Sequence, residues 1–219
     1  MAKRRGRIVV AAGTNGAGKS SLVGEFLAGQ KAGYFNPDLF ARTLIQQGWT
    51  AVAANAEAWK TGVEGLRRAI SRNEDFSFET TLGGRTIAQL LHAALEAGHE
   101  VIFIYVGLSS PELHIARVRE RVRRGGHDIP EGDIRRRYVT SLANLVGFVG
   151  SATEIHVFDN SEESPAGLPQ SKLVFRMHRK KIIEPVVTAL LADAPDWAKP
   201  VIAAAIRVHS KSSAPRRKK

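Results

Sequence analysis

The chain has 219 residues and 23.8 kDa, 43% of them hydrophobic, which suits one α/β domain with a substantial core and excludes a disordered chain. It has no cysteine, so disulfides, thiolate zinc sites and cysteine nucleophiles are excluded. The net charge of +11 calls for anionic company, while no apolar run reaches transmembrane length and no cleavable leader is evident, so a cytoplasmic protein without membrane insertion is expected.

In chain order, 7–13 (RIVVAAG) reads as a buried strand and 18–29 as a helix. Between them lies GTNGAGKS, the pattern Gly-x4-Gly-Lys-Ser in the strand-to-helix setting of a nucleotide phosphate loop. The expected nucleotide-binding segment is Gly13, Thr14, Asn15, Gly16, Ala17, Gly18, Lys19, Ser20 and Ser21. Its glycines let backbone N–H groups close around phosphate oxygens at the positive end of the following helix. Lys19 should reach the β- and γ-phosphates and the Ser20 hydroxyl should ligate Mg²⁺.

Helices are expected over 38–47 and 52–72. Asp38, in YFNPDLFAR at a strand-to-helix junction, reads equally as a helix N-cap and as the base an acceptor hydroxyl needs. Residues 75–80 read as a strand ending in Glu79, Thr80 and Thr81, at the carboxyl end where open α/β sheets bind ligands. A helix over 85–97 precedes EVIFIYVGL (100–108), apolar enough for a strand covered on both faces. Helices over 111–124 and 131–148 follow. On the first, Arg117, Arg121 and Arg124 stand at i, i+4 and i+7, beside an apolar stripe; Gly125-Gly126 reads as a hinge and Arg137 lies on the returning helix. These arginines suit a phosphate-gripping lid, or, alternatively, a salt-bridged surface helix. Residues 154–160 form a further strand ending in Asn160, a base-binding edge; 161–171 is a loop, 172–178 a last strand, 182–193 a last amphipathic helix. One domain over 1–208 and a basic disordered tail over 209–219 are expected.

The alternation of strand and helix predicts a mainly parallel sheet with helices on both faces. A switch GTPase would carry Asp-x-x-Gly and Asn-Lys-x-Asp, and neither occurs; a motor ATPase would end an apolar strand in carboxylates, and VIFIYVGL does not. Phosphoryl transfer to a bound acceptor remains the leading class. The +11 charge would also suit a nucleic-acid-associated ATP-binding protein, but the basic run RVRERVRRGG lacks the aromatics that stack on bases, so that is the weaker alternative and nucleic acid is not an expected partner.

The ordered set GTNGAGKSSL, FNPD, FSFETTLGGR, GHEVIFIYVGL, ARVRERVRRGGHDIP, RRRY and FDNS, spanning about three quarters of the chain, resembles the zeta-toxin family of kinases. The resemblance implies a P-loop kinase fold with an arginine-bearing helical lid, ATP as phosphate donor, Mg²⁺, and transfer to the 3′-hydroxyl of UDP-N-acetylglucosamine, with an antitoxin as possible partner. By that resemblance Lys19 is the phosphate-loop lysine, Asp38 the catalytic aspartate and Glu79 the substrate-contacting acid, followed by Thr80 and Thr81. Arg117 or Arg121 is the catalytic lid arginine. A second family arginine falls near His127, so Arg124 (toward the nucleotide) or Arg137 (toward the substrate) must supply that charge. Another small hydroxyl compound, such as an antibiotic, sugar acid or nucleotide, is the alternative acceptor.

Overall fold

Five consecutive buried residues, Ile8 to Ala12, make β1 (Arg7–Ala12) a strand covered on both faces. It lies inside a seven-stranded sheet of order β2-β3-β1-β4-β5-β6-β7, with β2 Tyr34–Phe35, β3 Phe76–Thr80, β4 Glu100–Gly107, β5 Glu154–Asp159, β6 Lys172–His178 and β7 Lys181–Glu184. β1 to β5 pair in parallel, and β6 and β7 are antiparallel additions at one edge. The computed structural model describes residues 4–27, 33–163 and 169–213. The fold is the expected α/β P-loop kinase architecture.

Helices α1 (Lys19–Leu27), α2 (Pro37–Gln46), α3 (Ala51–Arg72), α4 (Arg85–Glu96), α5 (Pro111–Arg123), α6 (Glu131–Phe148), α7 (Val187–Ala192) and α8 (Lys199–Ser213) connect and cover the sheet. Alternation along β1 sorts its side chains: Ile8, Val10 and Ala12 join a large core with Leu66, Leu91 and Phe148, while Val9 and Ala11 meet Val23 and Ile104 on the other face. The register sets Ala12 beside Thr80 of β3 and Tyr105 of β4, so the chain leaves β1 at the carboxyl edge, together with the ends of its neighbours. Ser110 caps α5 by accepting from the Leu113 N–H, and Pro111 takes the first helical position, where its missing donor costs nothing.

Three expectations change. Residues 182–193 are not one helix: Ile182 and Ile183 belong to β7, Pro185 interrupts, and α7 starts at Val187. A helix absent from the sequence reading, α8, closes the large core with Val201, Ile202 and Ala205. It runs to Ser213, so 209–213, expected in the tail, are helical, and His209 Nδ1 accepts from the Ile182 N–H at 3.0 Å. Residues 28–29, 164–168 and 214–219 of the expected helix, loop and tail lie outside the described residues. No helix among the described residues is long and apolar enough to cross a membrane.

Candidate active site

The turn from β1 into α1 is built by close approaches that no side chain would permit. Gly13 has φ +139° and a Cβ there would meet the Val106 carbonyl oxygen at 2.1 Å. Gly18 has φ +87° and a Cβ there would meet Asn160 Nδ2 at 2.5 Å. The wrapped loop holds Lys19 inside it, 9% exposed, with Nζ donating to the carbonyls of Gly13 (2.9 Å) and Thr14 (3.4 Å). Burial pushes the Lys19 pKa down, and the charges of Glu79 and Asp38 act against that shift. Thr14, Asn15 and Ala17 are buried, whereas Ser20 and Ser21 are exposed at the start of α1.

Asn160, read as a base-binding edge, instead braces the loop from beneath. Its Nδ2 donates to the Ala17 carbonyl at 2.8 Å, and its Oδ1 accepts from Ser171 Oγ at 2.8 Å.

Across the sheet edge, Asn36 decides the reading of Asp38. The Asn36 Oδ1 accepts from the Leu39 N–H at 3.0 Å and Pro37 takes the first helical position, so Asn36 is the N-cap of α2. Asp38 stands one residue into the helix, exposed, with its Oδ2 3.5 Å from Arg121 Nη1. Glu79 is buried at the end of β3 and accepts from Tyr34 Oη at 2.5 Å. Burial and the Glu79 charge raise the Tyr34 pKa, which keeps that phenol a donor. Thr80 and Thr81 hydroxyls accept from the N–H groups of Leu82 (3.0 Å) and Gly83 (3.4 Å), shaping the turn. Asn15, Lys19, Asp38, Glu79, Thr80, Thr81 and Arg137 line one cavity of about 430 Å³. Trp59 and Asn55 of α3 and His127 and Asp128 of the α5–α6 connection complete its wall.

The lid arginines divide. All three nitrogens of the Arg117 guanidinium are buried with no hydrogen bond among the described residues; the nearest carboxylate is Glu163, at 3.7 Å. Arg121 donates from Nη2 to the His127 carbonyl at 2.7 Å as well as facing Asp38. Arg137 Nη1 donates to Asn15 Oδ1 at 2.8 Å. Arg124 does not join them. The helix ends at Arg123, so Arg124 sits off the helical phase at the C-cap, 77% exposed, and pairs with Glu120. The salt-bridged-surface reading thus holds for the outward arginines, with Arg119 on Glu131 and Arg135 on Glu112. Gly125 and Gly126, read as a hinge, close a turn through N–H donation to the carbonyls of Val122 and Arg121 at 2.9 Å each.

His114 escaped the sequence reading because it is a lone histidine on a basic helix. It is 1% exposed, and its Nδ1 lies 2.8 Å from the Asn15 carbonyl oxygen, to which it donates. Burial pushes its pKa down to about 4, against the favourable Asn15 contact and with help from Lys19 and Arg117. The imidazole is therefore neutral and serves as a fixed donor.

No cluster of three or more His, Asp or Glu among the described residues makes a protein cage for a metal. The oxygen donors near Lys19 are the Ser20 hydroxyl, to which Asn36 Nδ2 donates at 3.4 Å, and the carboxylates of Asp38 and Glu79. Such a sparse oxygen set fits Mg²⁺, which draws its remaining ligands from nucleotide phosphates and water.

No protein-family model matches the chain. An uncharacterized protein of Haemophilus influenzae is 32% identical over 126 residues, 58% of this chain and 88% of that protein. Among solved structures, the native AvrRxo1-ORF1:ORF2 complex aligns with TM-score 0.58 at 13% identity, covering 93% of this chain and 76% of that one. A chain of the PezAT chromosomal toxin–antitoxin system of Streptococcus pneumoniae aligns with TM-score 0.55 at 13% identity, covering 96% and 88%. These likenesses are of fold. By the sequence match the chain belongs to one family with the Haemophilus influenzae protein, and its fold is that of the zeta-toxin type of P-loop kinase.

Proposed function

We propose that the chain is a Mg²⁺- and ATP-dependent phosphotransferase that acts on a hydroxyl of a small molecule. The observation that carries this reading is the sharing of one cavity by the buried phosphate-loop lysine, Lys19, and a carboxylate released from capping duty, Asp38. The ATP phosphates would replace the Gly13 and Thr14 carbonyls as partners of Lys19. Asp38 takes the proton of the acceptor hydroxyl as its oxygen bonds to the γ-phosphorus and the bond to the leaving ADP oxygen breaks. Bound Mg²⁺, held through Ser20, would supply charge neutralisation at the phosphates.

Of the two candidate lid arginines, Arg117 is the one assigned to the transferring phosphate, because its guanidinium is buried and lacks hydrogen bonds. Arg121 is committed to Asp38 and orients it. Arg137 sits over the loop through Asn15.

The family resemblance points to the 3′-hydroxyl of UDP-N-acetylglucosamine as the acceptor. The alternative, another small hydroxyl compound, gains from the sparse positive charge on the cavity wall beyond the phosphate loop. A protein antitoxin is the partner that the PezAT toxin–antitoxin system suggests, and the AvrRxo1-ORF1:ORF2 complex likewise pairs such a fold with a second protein. Incubation of the protein with γ-labelled ATP and a bacterial metabolite extract would reveal the labelled product. Asp38→Asn should lower turnover by about 10²–10⁴ with ATP affinity unchanged. Undiminished turnover in that variant would place the base elsewhere.

A further inference from the structure

The cavity beside Lys19 is polar in an uneven way, and the unevenness names a class of acceptor; the argument rests on the phosphotransferase reading above. Its two wall cations, Lys19 and Arg137, both belong to the phosphate-loop end. Lys19 is held by the loop's own carbonyls, and Arg137 is shared between Asn15 Oδ1 at 2.8 Å and Asp133 at 3.4 Å. On the phosphotransferase reading Lys19 serves the donor nucleotide, and Arg137 is held against the phosphate loop by Asn15. The opposite end is formed by Asn55 and Trp59 of α3 and by the segment 127–130, and it carries no lysine or arginine. Arg121 donates from Nη2 to the His127 carbonyl and faces Asp38 with Nη1, while its Nε is buried away from the cavity without a hydrogen bond among the described residues.

What that end does carry is a carboxylate and an aromatic face. Asp128 Oδ1 accepts from its neighbour's N–H, that of Ile129, at 2.8 Å, and Asp128 has no ion-pair partner among the described residues. Trp59 is 57% exposed although it lies on the cavity wall, so its ring is offered to whatever enters. Asn55 Nδ2 lies 3.4 Å from His127 Nε2, which ties the two sides of this end together. A diphosphate placed here would lose its hydration without meeting a free cation, and would lie against Asp128. An ammonium group would meet the reverse: a carboxylate partner and the face of an indole, the best cation–π acceptor among side chains. The same indole suits the C–H face of a saturated polyhydroxylated ring.

We propose that the acceptor is a polyhydroxylated ring compound that bears an amino group and no phosphate of its own, with Trp59 and Asp128 as its specificity-determining residues. The test is equilibrium binding of glucosamine, N-acetylglucosamine and UDP-N-acetylglucosamine to the full-length protein loaded with Mg²⁺ and a non-hydrolysable ATP analogue. Glucosamine should bind tightest, by about tenfold over its neutral N-acetyl counterpart, a margin typical of one charge-assisted contact. Asp128→Asn should erase that margin, and Trp59→Ala should weaken both sugars together. Tightest binding by UDP-N-acetylglucosamine, an unchanged margin in Asp128→Asn, or no binding of any of the three would each overturn the proposal. Failure of the ATP analogue itself to bind would instead overturn the phosphotransferase reading, so the two failures are distinguishable.

Discussion

His114 offers a prediction that can be worked from a single buried group. Its pKa is pushed from 6.5 down to about 4 by burial, with the neutral ring donating to the Asn15 carbonyl. In the unfolded chain the imidazole binds a proton near its ordinary value, so between those two pKa values the unfolded state holds more protons than the folded one. Stability contributed by this group is complete above the unfolded value and is lost as pH falls through the window toward the folded one. At about 1.4 kcal/mol per unit, the full span is worth about 3 kcal/mol, of which about 2 kcal/mol is lost by about pH 5. Urea unfolding of wild type and His114→Gln at several pH values isolates the effect, since all other titrations are common to both. The stability of wild type relative to the variant should fall by about 2 kcal/mol between about pH 7.5 and about pH 5. Parallel pH profiles for the two proteins would refute a buried, neutral His114.

Arg117→Met should leave stability unchanged or raised, because a buried guanidinium without hydrogen bonds costs folding energy. The same variant should lose about 10³ in turnover if that group meets the transferring phosphate, so stability and kinetics move apart. Asn36→Ala should cost about 1 kcal/mol of stability through loss of the α2 cap, visible in thermal unfolding, whereas Asp38→Asn should cost less than that.

Much of the phosphate loop was legible in the sequence because backbone geometry dictates it. The glycine spacing around Lys19 and the apolar run of β4 leave few alternatives. Asp38 against Asn36 was decidable as well: proline at the first helical position assigns the cap to the residue before it, which is Asn36. Pro185 likewise argues against a helix through 182–193, but Ile182, Val186 and Leu190 happen to repeat at helical spacing and obscured the strand. Ile182 is 9% exposed and Ile183 48%, the alternation of a strand. Other features depend on tertiary contact alone. Trp59 joins a cavity wall only because the fold brings the 127–130 segment to the same cavity, and His114 becomes a donor only because the phosphate loop lies 99 positions away in sequence yet within hydrogen-bond reach. The periodic row of arginines breaks at Arg124, since helical phase stops applying where α5 stops.

The double grip on Asn15 has a mechanical consequence. α5 holds its carbonyl through His114 and α6 holds its side chain through Arg137, so the phosphate loop and the two arginine-bearing helices form one fixed jaw. The opposing jaw is the α2–α3 pair, which faces it across long polar contacts: Asp38 to Arg121 at 3.5 Å, Asn55 to His127 at 3.4 Å and, from the α2 cap, Asn36 to Ser20 at 3.4 Å. The two exposed ones, at Asp38 and Asn55, are the cheapest in the site to break. On the phosphotransferase reading, the donor end of the site is therefore the firmly braced one, and the acceptor end is bounded by the weaker contacts.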